Sequence, residues 1–173
     1  HLPQTIVMDM GHGTLNWASE LSLGADIRIA HETAFIAFNH TELGLIAASG
    51  GISLLSQIVP FNFARSWILQ GQKITINDQK FSGFINSHYQ DETKSETTKS
   101  ILENISKQAP VQRIQTKLAL FEGRRDLIEK AFEADRRIAK AALISEDWKN
   151  IKAQVSEPPE FMAAKSMSYA VKF

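Results

Sequence analysis

Apolar residues along the first ninety positions fall in short runs broken by glycine and proline. "TIVMDM" is rich in branched residues and closed by "GHG", which predicts a buried strand and a turn. From Trp17 to about Gly24 the pattern fits a short helix. "ADIRIA" alternates and predicts a strand, as does "TAFIAF" at 33–38. "GLIAASGG" is a loop of small residues leading into an apolar helix, "ISLLSQIV". Pro60 ends that helix, and "NFARSWILQG" predicts another that closes at Gly71. "TINDQKFSG" predicts a further short helix closed by Gly83, with a strand at "FINSHY". Strand and helix signals alternate throughout, which argues α/β layers.

The character then changes. "QDETKSETTKS" is polar and predicts a surface linker or a helix start, and everything beyond it reads helical. Ile114, Leu118, Phe121, Ile128 and Phe132 recur at three, four or seven residues, an apolar stripe across most of a long helix. "SEDW" supplies an N-cap at or near Ser145, and "SEPPEF" ends the last helix with two prolines. The expected organisation is an α/β part over 1–92 and a helical part over 93–173. Neither an internal repeat nor a low-complexity segment interrupts it.

Composition narrows the function classes. At 173 residues the chain is long enough for one domain with a real core. With 19 basic and 19 acidic residues the formal net charge is zero, so no long-range field draws nucleic acid or an anionic membrane. Cysteine is absent, which excludes disulfides, thiolate metal sites and a cysteine nucleophile, and fits a reducing cytoplasm. No apolar run approaches the roughly 20 residues needed to span a bilayer. The start lacks the features of a signal peptide and begins with histidine, as expected of a processed, tagged or partial chain.

Glu20 stands at the head of the apolar stretch "LNWASELSLGADIRIA". It is either a catalytic carboxylate or a favourable charge in its helix's first turn, worth about 0.3–1 kcal/mol. "GLIAASGG" is no P-loop, since no Lys-Ser/Thr follows the glycines; Gly50 and Gly51 suit tight turns at a helix start. The five histidines show no metal-ligand spacing, so no metal is expected, and His12 is read as structural. Arg124, Arg125, Arg136, Arg137 and Lys140 are offset by Glu122, Asp126, Glu129, Glu133 and Asp135, the composition of a solvated or subunit-facing surface.

Three stretches in order, "SELSLGADIRIAHETAFIAF", "ELGLIAASGGISLLSQIV" and "LQGQKITINDQKFSGFIN", resemble the crotonase superfamily of enoyl-CoA hydratase/isomerase proteins. "ISEDWKNIKAQVSEPPEF" is similar to the family's C-terminal pattern. The resemblance runs from about Thr5 to Ile85, resumes across the C-terminal helices, and corresponds to about the last two-thirds of a typical member. It implies strand-strand-helix repeats with a helical C-terminal region serving trimer or hexamer assembly and covering the pocket. It also implies an acyl-CoA or acyl-carrier thioester as substrate, with coenzyme A present only as part of it. Two backbone N–H groups would hold the thioester oxygen, each lowering the enolate barrier by about 3 kcal/mol.

The chain departs from that pattern at the site. Asn16, Trp17 and Ala18 replace a glycine triplet, and the resemblance gives the Trp17 N–H the place of an oxyanion donor. The Trp17 side chain would be a pocket wall, an acyl-stacking surface or a plug. Asn16 would donate to the thioester oxygen or cap the following helix. Glu20 falls on the first catalytic carboxylate, whereas the second position, 20 residues on, holds His40, and Glu42 is an imperfect substitute. Imidazole titrates near neutrality and exchanges protons readily. One carboxylate suits isomerisation, decarboxylation or dehydration better than hydration. A catalytically silent protein kept for assembly or ligand binding is the alternative.

Overall fold

The computed structural model describes residues 2–145 and 147–149. Two strand-strand-helix units come first. β1 (Val7–Asp9), β2 (Gly13–Leu15) and α1 (Trp17–Ser22) form one; β3 (Ile27–His31), β4 (Phe35–Ala37) and α2 (Gly51–Ile58) form the other. A 3-10 turn, Asn39–Leu43, precedes α2. Then follow α3 (Phe61–Gln70), β5 (Ile74–Thr75), α4 (Ile76–Phe81) and β6 (Ser87–Tyr89).

The strands sort into two three-stranded sheets. β3 runs parallel between β1 and β6, while β4 pairs parallel with β2 and antiparallel with β5. β2 was not foreseen beyond its turn, because a three-residue strand opening on glycine carries almost no β signal. Gly13 is required there: a side chain at its φ of 151° would meet the Phe35 carbonyl at 2.7 Å. Residues of both sheets (Ala30 of β3, Ile36 of β4 and Ile74 of β5), of α2 (Leu55) and of α3 (Trp67) share one apolar core with Phe38 and Phe84.

Arg28 sits inside this core, although alternation in "ADIRIA" would place it on a solvated face. Its guanidinium donates to three carbonyls: Nε to Phe84 at 2.7 Å, and Nη1 to Ala25 at 2.8 Å and Ser22 at 3.3 Å. Ser22 is the last residue of α1, so the cation satisfies a carbonyl the helix leaves orphaned. The group also lies 5.0 Å above the Phe84 ring. Burial lowers its pKa and the charge of Asp26 works against that, but a guanidinium stays ionised.

The later chain forms α5 (Lys94–Ser106), α6 (Pro110–Glu122) and α7 (Arg125–Ile144). "QDETKSETTKS" is therefore a helix start, led in by a 3-10 turn at Asp91–Thr93. The single long helix expected over the stripe is two. Arg124 leaves the helical region at φ −123°, ψ 0°, and its Nη1 donates to the Gln57 carbonyl of α2 at 3.0 Å. Ser145 closes α7, and its hydroxyl accepts the Asp147 N–H at 3.3 Å, opening a 3-10 turn over Asp147–Lys149. "SEPPEF" lies outside the described residues. α5 and α6 fully bury no residue and α7 buries one, Asp135, while packing on α2. Among the described residues no helix is long and apolar enough to cross a membrane.

Replacing Arg28 by lysine keeps the charge but loses the fork, leaving at least one buried carbonyl unpaired. Urea unfolding of Arg28→Lys is expected to show a loss of about 1–3 kcal/mol.

Candidate active site

Glu20 enters the interior because the backbone turns sharply just before α1. Asn16 has φ 48°, ψ −115°, a region natural to glycine and costing another residue about 1–3 kcal/mol. Its N–H donates to Ala37 of β4 at 2.9 Å, which fixes the turn to the sheet. One turn on, the Glu20 side chain lies 4% exposed.

The Glu20 carboxylate is the meeting point of three elements. Oε1 accepts the N–H groups of Ser49 at 2.8 Å and Gly51 at 3.0 Å. Both precede or open α2, where free N–H groups and the helix dipole favour an anion. Oε2 is 3.0 Å from Nε2 of His40, which the 3-10 turn holds at 7% exposure. The ring nitrogen donates to the carboxylate in this arrangement, and His40 Nδ1 has no hydrogen-bond partner. Glu20 thus serves not its own helix but the start of another.

The glycines of "GLIAASGG" make this approach possible. Gly50 turns the chain at φ 114°. A Cβ on Gly51 would stand 2.5 Å from Ala47 Cβ and 3.0 Å from Glu20 Oε1.

Of the residues expected at the site, the structure brings Glu20 and His40 together. Trp17 is 68% exposed, outside the packed core of the described residues. Ala18 is also exposed. The N–H groups of Trp17 and Ala18 belong to the first turn of α1 and have no intrahelical acceptor. Asn16 makes no side-chain cap, contrary to its expected capping role, and its Oδ1 is buried without a partner. Glu42 lies on the surface, accepting from Asn39 at 2.8 Å.

Asp135 is the residue the sequence misplaced among solvated charges. It is 1% exposed, packed against α2 beside Ser53, with neither carboxyl oxygen in hydrogen-bonding geometry. Burial raises its pKa, and the charge of Glu20 pushes it the same way. The nearby Ser53 hydroxyl and N–H only partly offset that rise. The available signal was register, since Ile128, Phe132, Asp135, Ala139 and Ala142 share one stripe of α7.

Linear spacing also hid a cluster of His12, His31 and Asp91, the one group among the described residues able to hold a metal ion. A groove of about 750 Å³ runs along α5 past Lys94, Thr98 and Leu102 and does not border Glu20 or His40.

The sequence profile of the enoyl-CoA hydratase/isomerase family matches residues 17–157. The short-chain-enoyl-CoA hydratase of Clostridium acetobutylicum is 25% identical over 149 residues, covering 86% of this chain and 57% of that protein. The crystal structure of carnitinyl-CoA hydratase from Mycobacterium avium superposes with a TM-score of 0.72 at 31% identity, covering 80% of this chain and 55% of that one. An enoyl-CoA hydratase of Mycobacterium avium subsp. paratuberculosis superposes with a TM-score of 0.85 at 19% identity, covering 93% and 66%. The architecture is the crotonase fold that the sequence implied. The chain spans under two thirds of the length of each of these relatives.

Gly51→Ala is expected to cost about 1–3 kcal/mol in urea unfolding, with Glu20 displaced from the Gly51 N–H. Asp135 gives a pH signature. Its folded form keeps a proton that the unfolded chain releases. That stability is complete below the ordinary carboxyl pKa and is lost as pH rises through the higher folded value. Asp135→Asn should therefore melt above the parent at pH 7, and the two should converge below about pH 4 in thermal scans.

Proposed function

The chain belongs to the enoyl-CoA hydratase/isomerase family, and on that footing we propose that it transforms an acyl-CoA or acyl-carrier thioester through an oxyanion-stabilised enolate. The observation that carries this reading is the buried, hydrogen-bonded Glu20–His40 pair. Ionisable pairs withdrawn from water concentrate at sites that move protons.

In the proposed step, a proton leaves the carbon next to the thioester carbonyl, and its bonding electrons pass to the carbonyl oxygen as an enolate. The Trp17 N–H donates to that oxygen, with Asn16 and Ala18 shaping the same turn. Glu20 is the proton-transfer carboxylate. Its Oε1 is tied to two N–H groups, so Oε2 is the oxygen free to exchange a proton, and His40 is the accessory acid/base seated on it. Returning the proton elsewhere on the acyl chain isomerises it; handing that proton to a hydroxyl on the next carbon, whose C–O bond breaks as the enolate electrons form the new C=C bond, releases water and dehydrates it. Hydration needs two independent groups, one for water and one for carbon, and the coupled pair favours the single-carboxylate reactions. Coenzyme A enters with the substrate. Exposed Leu118, Leu120, Leu127 and Leu143 on α6 and α7 support assembly through the helical region as a trimer or hexamer.

One observation favours the silent alternative: the three hydrogen bonds to Glu20 already occupy both its oxygens. Solvent-deuterium exchange at the α-carbon of butyryl-CoA, followed by mass spectrometry, separates the two. The parent should exchange, and Glu20→Gln should fall by about 10²–10⁴-fold with its unfolding midpoint retained. A parent that neither exchanges nor binds the thioester leaves the silent protein as the correct reading.

A further inference from the structure

His12 lies in the turn after β1, His31 ends β3, and Asp91 lies just beyond β6. These three strands form one parallel sheet, and all three side chains gather at its carboxyl edge, where open α/β sheets collect their ligands. Their candidate ligand atoms lie within 4.8 Å of one another. His12 Nε2 and His31 Nε2 each stand 3.9 Å from Asp91 Oδ1.

The orientation is also set. Thr33 Oγ1 lies 2.8 Å from His31 Nδ1 and 3.4 Å from His12 Nδ1. A hydroxyl that accepts Nδ1–H leaves the Nε2 lone pair free for a metal, the arrangement that outer-shell oxygens impose on ligating histidines. In the metal-free arrangement His31 Nδ1 accepts the Thr33 N–H at 3.2 Å, so binding a metal at Nε2 requires the ring proton to sit on Nδ1 and donate to the Thr33 hydroxyl. The two rings pack against each other, tilted by 42° with centroids 4.2 Å apart. Lys94, the nearest cation along the chain, is committed to Asp9 at 2.8 Å. Among the described residues the two imidazoles are the groups that face the Asp91 carboxylate, each at 3.9 Å.

We propose that His12, His31 and Asp91 form a site for one divalent ion of the Zn²⁺ class, with water in the fourth position. Two imidazoles and a carboxylate are a ligand set suited to that ion. Zn–N bonds near 2.0–2.1 Å require tetrahedral ligand atoms about 3.4 Å apart. The 3.9 Å separations close to this by small movements of the exposed His12 and Asp91, while buried His31 stays fixed. The ion ties the ends of three strands together without a disulfide, and its open position faces solvent.

Isothermal titration of the metal-free full chain with ZnCl₂ tests this. One ion per chain is expected. His31→Ala should abolish saturable binding. The exposed-site variants His12→Gln and Asp91→Asn, whose folding is checked by circular dichroism, should each weaken it at least tenfold. Thr33→Ala should weaken it by about 10–100-fold, and His88→Ala should leave it unchanged. Absence of saturable binding to the parent overturns the proposal, as does binding that persists in well-folded His12→Gln and Asp91→Asn.

Discussion

Much of the α/β part hangs on one carboxylate meeting one helix start. The first N–H groups of α2 have no partner within the helix, and the loop that delivers them is too rich in small residues to supply a side-chain cap. Glu20 supplies it from another helix, and His40 closes the remaining oxygen from a third element. Glu20, His40 and Gly51 are buried, so these three cannot turn to water if a partner is lost. The strained backbone at Asn16 and the carbonyls gathered by Arg28 fix the two ends of α1 that make this reach possible.

This arrangement also has a chemical character. A carboxylate satisfied by backbone N–H groups on one oxygen is held in place, while its other oxygen communicates only through an imidazole. The thioester setting is what we propose; the pairing of Glu20 with His40 is a property of this chain's own residues.

The sequence made the alternation of strands and helices legible because glycine and proline mark the boundaries between periodic runs, whereas the relation of Glu20 to His40 came from the family resemblance alone. What it concealed has a common physical origin. Arg28 alternates with apolar residues and Asp135 stands among charges, patterns that place both on a solvated face, and only their tertiary surroundings bury them. The break between α6 and α7 depends on Arg124 reaching across to α2, a contact no helical periodicity encodes. The gathering of His12, His31 and Asp91 arises from parallel strands whose ends coincide although they are far apart in the chain.

The crowding at Gly51 has a historical consequence. A methyl group there and a carboxylate at position 20 compete for the same space. A lineage of this chain can exchange the glycine only after both the glutamate and Ala47 have given way, whereas the glutamate can be lost while the glycine remains. The order of those two changes is therefore constrained, and any descendant that still carries the carboxylate is held to glycine thirty-one positions downstream.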